Sequence, residues 1–219
     1  MNLNVNIPAI NESFYTPNSA KQNEDKIKNF IRPKYGKYID NVSSLTGVPS
    51  VLIEAFVFVE SGGNERATSP FAVGLMQVSP ATASDVLIKE KGAGRLTNEE
   101  AVLVKKYLGN RYSLIENVKP NQKSIGKTFI TNSELLKPEF NLLVGSIFLK
   151  QLIDEFSSGG QVRLDKVISV YNGGRFSKSN KKIIPFKGTT KELLTQVPKE
   201  TSNYILKLLG TQGILDTLV

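Results

Sequence analysis

Hydrophobic and polar positions recur with a helical period along most of the chain. Apolar residues spaced three or four positions apart predict helices over residues 24–46, 138–156, 164–171, 199–209 and 211–218. The segment 138–156 shows the clearest amphipathic pattern, with its aromatic and aliphatic residues on or near one face. The pattern predicts an α+β fold that is predominantly α-helical, with at most a small β element.

Proline, glycine and capping residues mark where these helices begin and end. Pro33 should break or kink the first helix, and Gly47 should end it. Ser79 followed by Pro80 predicts a helix N-terminus, because serine caps a helix and proline suits its first position. Residues 97–100 (TNEE) have the sequence of a capping box and predict another helix start.

Residues 49–61 (PSVLIEAFVFVES) admit two interpretations. Their β-branched and aromatic content suits a buried strand, whereas their length, the leading proline and the pair Gly62 and Gly63 suit a buried helix. We predict a helix. Residues 74–78 are predicted to form a short extended piece, and residues 110–137 give weak signals that predict loop.

Composition restricts the available chemistry. The 219 residues include no cysteine and no histidine, which excludes a disulfide framework, a thiol nucleophile, a Ser-His-Asp triad and His or Cys metal ligands. An enzyme of this composition must transfer protons with carboxylates, lysine or tyrosine. We therefore expect no metal ion and no cofactor. The length and the 40% hydrophobic content suit one globular domain, alone or with a tail.

Charge is unevenly distributed. The net charge is +8, and residues 172–200 hold seven lysines and arginines against two glutamates. A solvated loop and a surface that attracts an anionic polymer explain this segment equally well.

The first residues differ in composition from the rest. Residues 1–23 start with an Asn-rich segment and are predicted to form a flexible N-terminal arm, followed by one domain over residues 24–219. They lack the basic start and apolar core of a signal peptide, and the chain lacks the apolar run of about 20 residues that a membrane span needs. We expect no signal peptide and no transmembrane segment.

The stretch 60–83 (ESGGNERATSPFAVGLMQVSPATA) carries the candidate chemistry. Glu60 ends the apolar helix beside Phe56 and Val57, and burial there should raise the pKa of its carboxyl group. A carboxylic acid that is still protonated near neutral pH suits general-acid catalysis. On Glu60 alone, an ordinary helix-terminal glutamate before a glycine cap is the simpler interpretation.

Three further motifs follow in order: PEFNLLVG at 138–145, VYNGG at 170–174 and ETSNY at 200–204. Together with residues 60–83, they resemble the signature of soluble lytic transglycosylases and goose-type lysozymes. The resemblance runs from about residue 36 to residue 209. It implies a lysozyme-like transglycosylase domain with a glycan groove, which cleaves the β-1,4 bond between N-acetylmuramic acid and N-acetylglucosamine in peptidoglycan.

The resemblance also implies roles for individual residues. Glu60 matches the family's single catalytic acid/base. The positions that match groove residues, expected to bind substrate, are Ser69, Met76, Gln77, Asn141, Tyr171, Asn172 and Glu200. Three of them also have structural explanations: Met76 as a core residue, Asn141 as a cap or support of a buried turn, and Glu200 as an acid that favours a helix N-terminus.

Two segments depart from the family's pattern. Residues 69–74 (SPFAVG) are one residue short and lack the glycine of the Gly-Ala pair that the family usually has before Gly-Leu-Met-Gln, so the backbone is expected to turn differently there. The connection around residues 85–137 is longer than usual and is expected to be an insertion with a role in specificity or as a lid.

Most glycosidases need two carboxylates, yet residues 60–83 show no partner for Glu60, since Glu65 is expected on an exposed loop. The resemblance implies that Glu60 protonates the glycosidic oxygen and then deprotonates the C6 hydroxyl of the muramic sugar. That hydroxyl attacks its own C1 and forms a 1,6-anhydro product. A nucleophile within the substrate has a high effective concentration, so the protein need not supply one.

The sequence also allows other functions. A muramidase would hydrolyse the same bond, and a non-catalytic structural virion protein would only bind the glycan. Nucleic-acid binding is not expected, because no nucleic-acid motif accompanies the basic segment. We expect peptidoglycan glycan strands as the partner. We also expect a phage-encoded protein that the virion carries to the cell wall. On the virion, the N-terminal arm is expected to contact other virion proteins.

Overall fold

The computed structural model describes residues 10–174 and 188–218 and is mainly helical, with a small sheet, as predicted. Two short antiparallel strands, β1 (Ser157–Ser158) and β2 (Gln161–Val162), pair Ser157 with Val162. The helices are α1 (Pro17–Lys26), α2 (Arg32–Thr46), α3 (Ser50–Ser61), α4 (Pro80–Gly92), α5 (Asn98–Leu108), α6 (Ser113–Glu116), α7 (Asn132–Leu135), α8 (Pro138–Glu155), α9 (Leu164–Gly173), α10 (Thr190–Gln196), α11 (Lys199–Leu209) and α12 (Ile214–Leu218).

The chain divides into two compact units. The central unit is Ile31–Gln151, and the terminal unit combines Met1–Phe30 with Leu152–Val219. Aliphatic and aromatic side chains fill the interior of each unit. Among the fully buried ones are Tyr35, Ile53, Phe56, Leu75, Leu87 and Phe140 in the central unit and Val167, Ile168, Ile205, Leu208 and Ile214 in the terminal unit.

The first helical stretch is interrupted at the predicted place. A π-helical turn, Ile27–Ile31, separates α1 from α2, and Pro33 lies in the first turn of α2. Proline cannot donate the main-chain hydrogen bond that a helix interior needs, but the first turn leaves that donor unused. Gly47 then ends α2 in the left-handed region with φ 74°.

The ends of the following helices also agree with the sequence. Within residues 49–61 the chain forms helix α3 (Ser50–Ser61) rather than a strand, with Pro49 at the N-cap position and Gly62 at the C-cap with φ 59°. The Ser79 hydroxyl accepts from the Thr82 amide at the start of α4. Thr97 opens α5 with the predicted capping box. These boundaries depend on contacts within one helical turn, so a local pattern predicts them.

Three segments differ from the predictions. Residues 74–78 are a tight turn that pairs Val73 with Val78, rather than an extended piece. Residues 110–137, predicted to include loop, also hold α6, α7 and part of the 3-10 turn Gly109–Tyr112. Helix α10 was not predicted, although the capping box at Thr189 marks its start.

The N-terminal arm is described only in part. Residues 17–23 of the predicted arm belong to α1, which Thr16 caps. The Thr211 amide bonds to the carbonyls of Ile10 and Glu12. Residues 1–9 lie outside the described residues, and the boundary between arm and domain at residue 23 stays a prediction. Within the described part of the chain, no helix has the length and apolar character that crossing a membrane requires.

Candidate functional site

Glu60 lies in the last turn of α3, where the apolar helix ends. Its side chain is partly buried, and the preceding turn contributes the fully buried Phe56 and Val57. Gly62 and Gly63 follow with φ of 59° and 82°, a conformation that favours glycine and turns the main chain away from the helix. Glu60 therefore lies where the apolar helix ends, and after Ser61 the chain continues with two residues without side chains.

Ser61 connects this helix end to the next part of the site. Its hydroxyl donates to the carbonyl of Leu75 at 2.8 Å and lies 3.0 Å from the carbonyl of Val57. The same oxygen accepts from the Gly63 amide at 3.2 Å. The residue next to Glu60 therefore bonds directly to residues 66–78, which we call the site loop.

The site loop is held closed by its own hydrogen bonds. The Gly74 amide donates to the Ala67 carbonyl at 2.8 Å, and the Gln77 side-chain amide donates to the carbonyls of Ala67 and Gly74 at 3.1 and 3.0 Å. Gln77 has φ 45°, which is costly for a residue with a side chain and is found mainly where the surroundings hold it. Its amide thus supports the loop, and its predicted contact with substrate stays a prediction.

Asn141 connects the site loop to α8 and is completely buried. Its Oδ1 accepts from the Met76 amide at 2.8 Å, and its Nδ2 donates to the carbonyls of Val73 and Leu135, each at 2.9 Å. This geometry matches the alternative interpretation of Asn141 as the support of a buried turn. We refer to Asn141 and its three main-chain partners as the amide cluster.

Close packing surrounds the amide cluster. Gly74 has φ 83°, and a Cβ atom there would lie 2.3 Å from Nδ2 of Asn141, so a side chain does not fit. Met76 is fully buried, as the core interpretation expects, and a Cβ atom on Gly145 of α8 would lie 2.6 Å from its sulfur. Sequence reasoning did not single out Gly145, although it closes the motif at 138–145.

Ser69 forms a tight turn at the exposed tip of the site loop. Its amide donates to the Ala72 carbonyl at 2.8 Å, and its hydroxyl accepts from the Ala72 amide at 3.0 Å. This turn occupies the place where the sequence is one residue shorter than the family pattern. The hydroxyl is exposed, and its predicted role in substrate binding stays a prediction.

Tyr35 and Glu65 form a contact that sequence reasoning missed. The buried Tyr35 hydroxyl lies 2.8 Å from Oε2 of Glu65 and 3.1 Å from the Gly63 carbonyl, and Lys34 pairs with Glu65 at 3.3 Å. The hydrogen bond from Tyr35, helped by Lys34, lowers the pKa of Glu65. Glu65 therefore stays ionised and helps to hold the main chain that follows Glu60.

Other acidic residues of the central unit are also paired. Glu54 accepts from Arg32 at 2.6 Å, and Glu139 accepts from Lys106 and Tyr107 at 2.7 and 2.6 Å. Desolvation, together with the bond to Glu139, raises the pKa of Tyr107 to about 12. Within residues 10–174 and 188–218, no group of three or more acidic side chains is arranged to hold a metal ion.

The terminal unit carries the remaining predicted residues. Tyr171 and Asn172 are partly buried in the last turn of α9, and Glu200 is exposed in the first turn of α11. A Cβ atom on Gly173 would lie 2.4 Å from Oγ1 of Thr201, so these two helix ends are in contact. The structure therefore brings these three positions to one place within that unit. Most of the basic segment lies in residues 175–187, outside the described residues.

Comparison of the sequence with known protein families gives one match. The family model described as "Transglycosylase SLT domain" matches residues 37–193, which is most of the chain. The match covers Glu60 and every predicted substrate-binding residue except Glu200. No curated protein matches the chain in sequence.

Proposed function

Because the chain belongs to the transglycosylase SLT domain family, we propose that it cleaves the β-1,4 bond between N-acetylmuramic acid and N-acetylglucosamine as a lytic transglycosylase. Membership supports a glycan-cleaving lyase that acts on peptidoglycan. The observation that carries the proposal is the position of Glu60, at the end of an apolar helix whose next residue bonds to the site loop.

In the proposed reaction, Glu60 is the sole proton carrier. Its carboxyl proton passes to the glycosidic oxygen as the bond from that oxygen to C1 breaks. The Glu60 carboxylate then accepts the proton of the C6 hydroxyl, whose oxygen forms the new bond to C1. No water is consumed, and the acid is regenerated with a 1,6-anhydro sugar as product.

The surroundings of Glu65 support a single catalytic carboxylate. Glu65 is the next acidic residue along the chain, and its Oε2 already accepts from the hydroxyl of Tyr35 and lies 3.3 Å from the ammonium of Lys34. A carboxylate held in this way is poorly suited to act as a nucleophile or as a base for water, the two roles that the second acid of a glycosidase performs. We infer that the nucleophile comes from the substrate.

Muropeptide analysis of the wild type and Glu60→Gln tests the proposal. General acid–base groups contribute about 10²–10⁴-fold to rate, so we expect at least that loss in Glu60→Gln, with an unchanged thermal midpoint. Mass spectrometry should find anhydro ends, which are lighter than reducing ends by one water. Glu116→Gln, the same change at an exposed carboxyl group, is the control and should retain full activity.

Three outcomes would contradict the proposal. Retained cleavage in Glu60→Gln would remove Glu60 from the reaction. Reducing ends in place of anhydro ends would assign the chain to the hydrolysing muramidases. Binding of glycan strands without any cleavage by the wild type would assign it to structural glycan-binding proteins.

We also propose that the protein is phage-encoded and carried on the virion. The support is the Asn-rich composition of the first residues, which suits an attachment segment to other virion proteins. Mass spectrometry of purified particles should find the chain in a constant ratio to the capsid protein. Its presence in the lysate alone would contradict this proposal and leave the enzymatic one intact.

A further inference from the structure

Phe71 is the most exposed large hydrophobic side chain in the described part of the chain, with 83% of its surface accessible. It lies at the tip of the site loop, between Ser69 and Ala72. A single exposed apolar residue is ordinary on a protein surface. Phe71 differs from such residues because its main chain is held in a hydrogen-bonded turn and because that turn belongs to the site loop.

The main chain beneath Phe71 is held in one conformation. Pro70 restricts the backbone on one side, and the Ser69 hydroxyl accepts from the amides of Phe71 and Ala72 at 3.4 and 3.0 Å. The bridge between Thr68 and Val73 closes the turn at its base. The ring is therefore presented to solvent on a formed turn, which lowers the entropy lost when a ligand binds.

The turn is connected to the helix end that carries Glu60. The Gln77 side chain donates to Ala67 at the start of the loop, and Ser61, next to Glu60, donates to Leu75 near its end. A ligand that contacts Phe71 is therefore bound by the same loop that flanks Glu60.

We propose that Phe71 packs its ring against the face of a pyranose ring of the glycan strand and contributes to affinity for the strand. The inference rests on the proposed function and names the substrate contact of that site. The face of an aromatic ring is electron-rich, whereas one face of a pyranose carries C–H groups with partial positive charge, so the two surfaces attract. Such a contact requires an exposed, fixed ring and no hydrogen-bond donor.

The test compares Phe71→Ala, Phe71→Trp and Val102→Ala with the wild type. Val102 is 71% exposed on α5, so its truncation removes exposed apolar surface, in a smaller amount, elsewhere in the central unit. On peptide-free glycan strands, Phe71→Ala should raise KM by about three- to tenfold with unchanged kcat, the pattern of a contact made equally in ground and transition states. Phe71→Trp should retain the wild-type KM, as should Val102→Ala.

A binding measurement separates this inference from the proposed function. In a Glu60→Gln background, titration calorimetry with the same strands should show the same three- to tenfold loss of affinity in Phe71→Ala. Equal KM and equal affinity for Phe71→Ala and wild type would overturn the role of Phe71 while leaving the transglycosylase intact. A change of oligomeric state without a change in KM would overturn it as well, because Phe71 would then contact another protein copy. A wild type that neither cleaves nor binds the strands would overturn both.

Discussion

Two polar clusters lie along α8 in the central unit. One is formed by a neutral amide side chain and the other mainly by charged side chains. The amide cluster, near the start of the helix, consists of the neutral side chain of Asn141 bonded to three main-chain groups. Near the end of the same helix, Lys150 and Gln151 contact two completely buried carboxylates, Glu90 of α4 and Glu100 of α5. We call Glu90, Glu100, Arg95, Lys150 and Gln151 the charged cluster.

The charged cluster is held mainly by contacts between side chains. Glu90 accepts from Arg95 at 3.0 Å and from Gln151 at 2.8 Å, and Lys150 lies 3.2 Å from its other oxygen. One oxygen of Glu100 accepts from the Thr97 amide in the capping box, and the other lies 3.6 Å from Lys150. These contacts join α4 and α5 to α8.

Because one cluster is neutral and the other is charged, the two clusters should respond differently to pH. An amide does not titrate, so the amide cluster keeps the site loop in place at any pH at which the protein is folded. Buried carboxylates need compensating charge, and their contribution to stability depends on their ionisation. The bonds between Asn141 and the site loop are formed by a neutral side chain, whereas the carboxylate of Glu65, close to Glu60 in sequence, is paired with Tyr35 and Lys34.

Introducing a charge into the amide cluster should have the largest effect on stability. Asn141→Asp would place a carboxylate against the carbonyls of Val73 and Leu135 in a completely buried position. We expect a loss of about 4 kcal/mol or more in the free energy of unfolding at pH 7, together with loss of glycan cleavage. Urea denaturation measures the first quantity. Asn110→Asp, an exposed control, should stay within about 0.5 kcal/mol of wild type; an equal loss in both variants would contradict the contrast.

Removing the cation of the charged cluster should have a smaller but substantial effect. Lys150→Met leaves Glu90 and Glu100 buried without one of their partners, while Arg95 and Gln151 still bond Glu90. We expect a loss of about 2–3 kcal/mol in urea denaturation, with an unchanged rate of glycan cleavage per folded molecule.

Lys105→Met is the matched control for that variant. Lys105 pairs with Glu116 at 3.6 Å, and both side chains are more than half exposed. An exposed pair contributes at most about 1 kcal/mol, so this variant should resemble wild type. Similar losses for the two lysines would show that burial of the charged cluster does not matter.

Acid should weaken the charged cluster while leaving the amide cluster unaffected. Burial alone would raise the pKa of Glu90, but hydrogen bonds from Arg95 and Gln151 and the charges of Arg95 and Lys150 outweigh it, so the pKa is lowered. A carboxyl group whose pKa is lower in the folded state contributes stability above its unfolded pKa of about 4.3 and loses it as the pH falls through its folded pKa.

Urea denaturation between pH 3 and pH 7 checks this prediction. Stability should fall below about pH 4.3 in wild type and fall less steeply in Glu90→Gln, which cannot gain that proton. Asn141→Ala should keep the wild-type slope, because no titrating group is removed. Identical slopes for wild type and Glu90→Gln would show that Glu90 is not a source of the acid sensitivity.

Helix boundaries were predictable because they depend on neighbours along the chain. The interruption at Pro33, the ends at Gly47 and Gly62 and the capping box at Thr97 each follow from hydrogen bonds within one helical turn. The order of motifs also pointed to the family whose model matches residues 37–193.

The turn at residues 74–78 was mispredicted because its cause lies far away in sequence. The pattern of those residues suits an extended piece, but Asn141 contributes hydrogen bonds that hold Val73 and Met76 in a turn. Gln77 adopts positive φ in the same turn, where the bonds of its side chain to Ala67 and Gly74 offset a backbone conformation that it would otherwise avoid. The contribution of Asn141 is absent from any local pattern.

The partners of buried polar side chains could not be predicted from local sequence either. Periodicity along the chain shows which face of a helix is apolar. It does not show that the hydroxyl of Tyr35 reaches Glu65, or that Lys150 lies between Glu90 and Glu100. Local sequence is sufficient for elements whose hydrogen bonds close over three or four residues, whereas pairing across tens of residues exists only once the helices have packed.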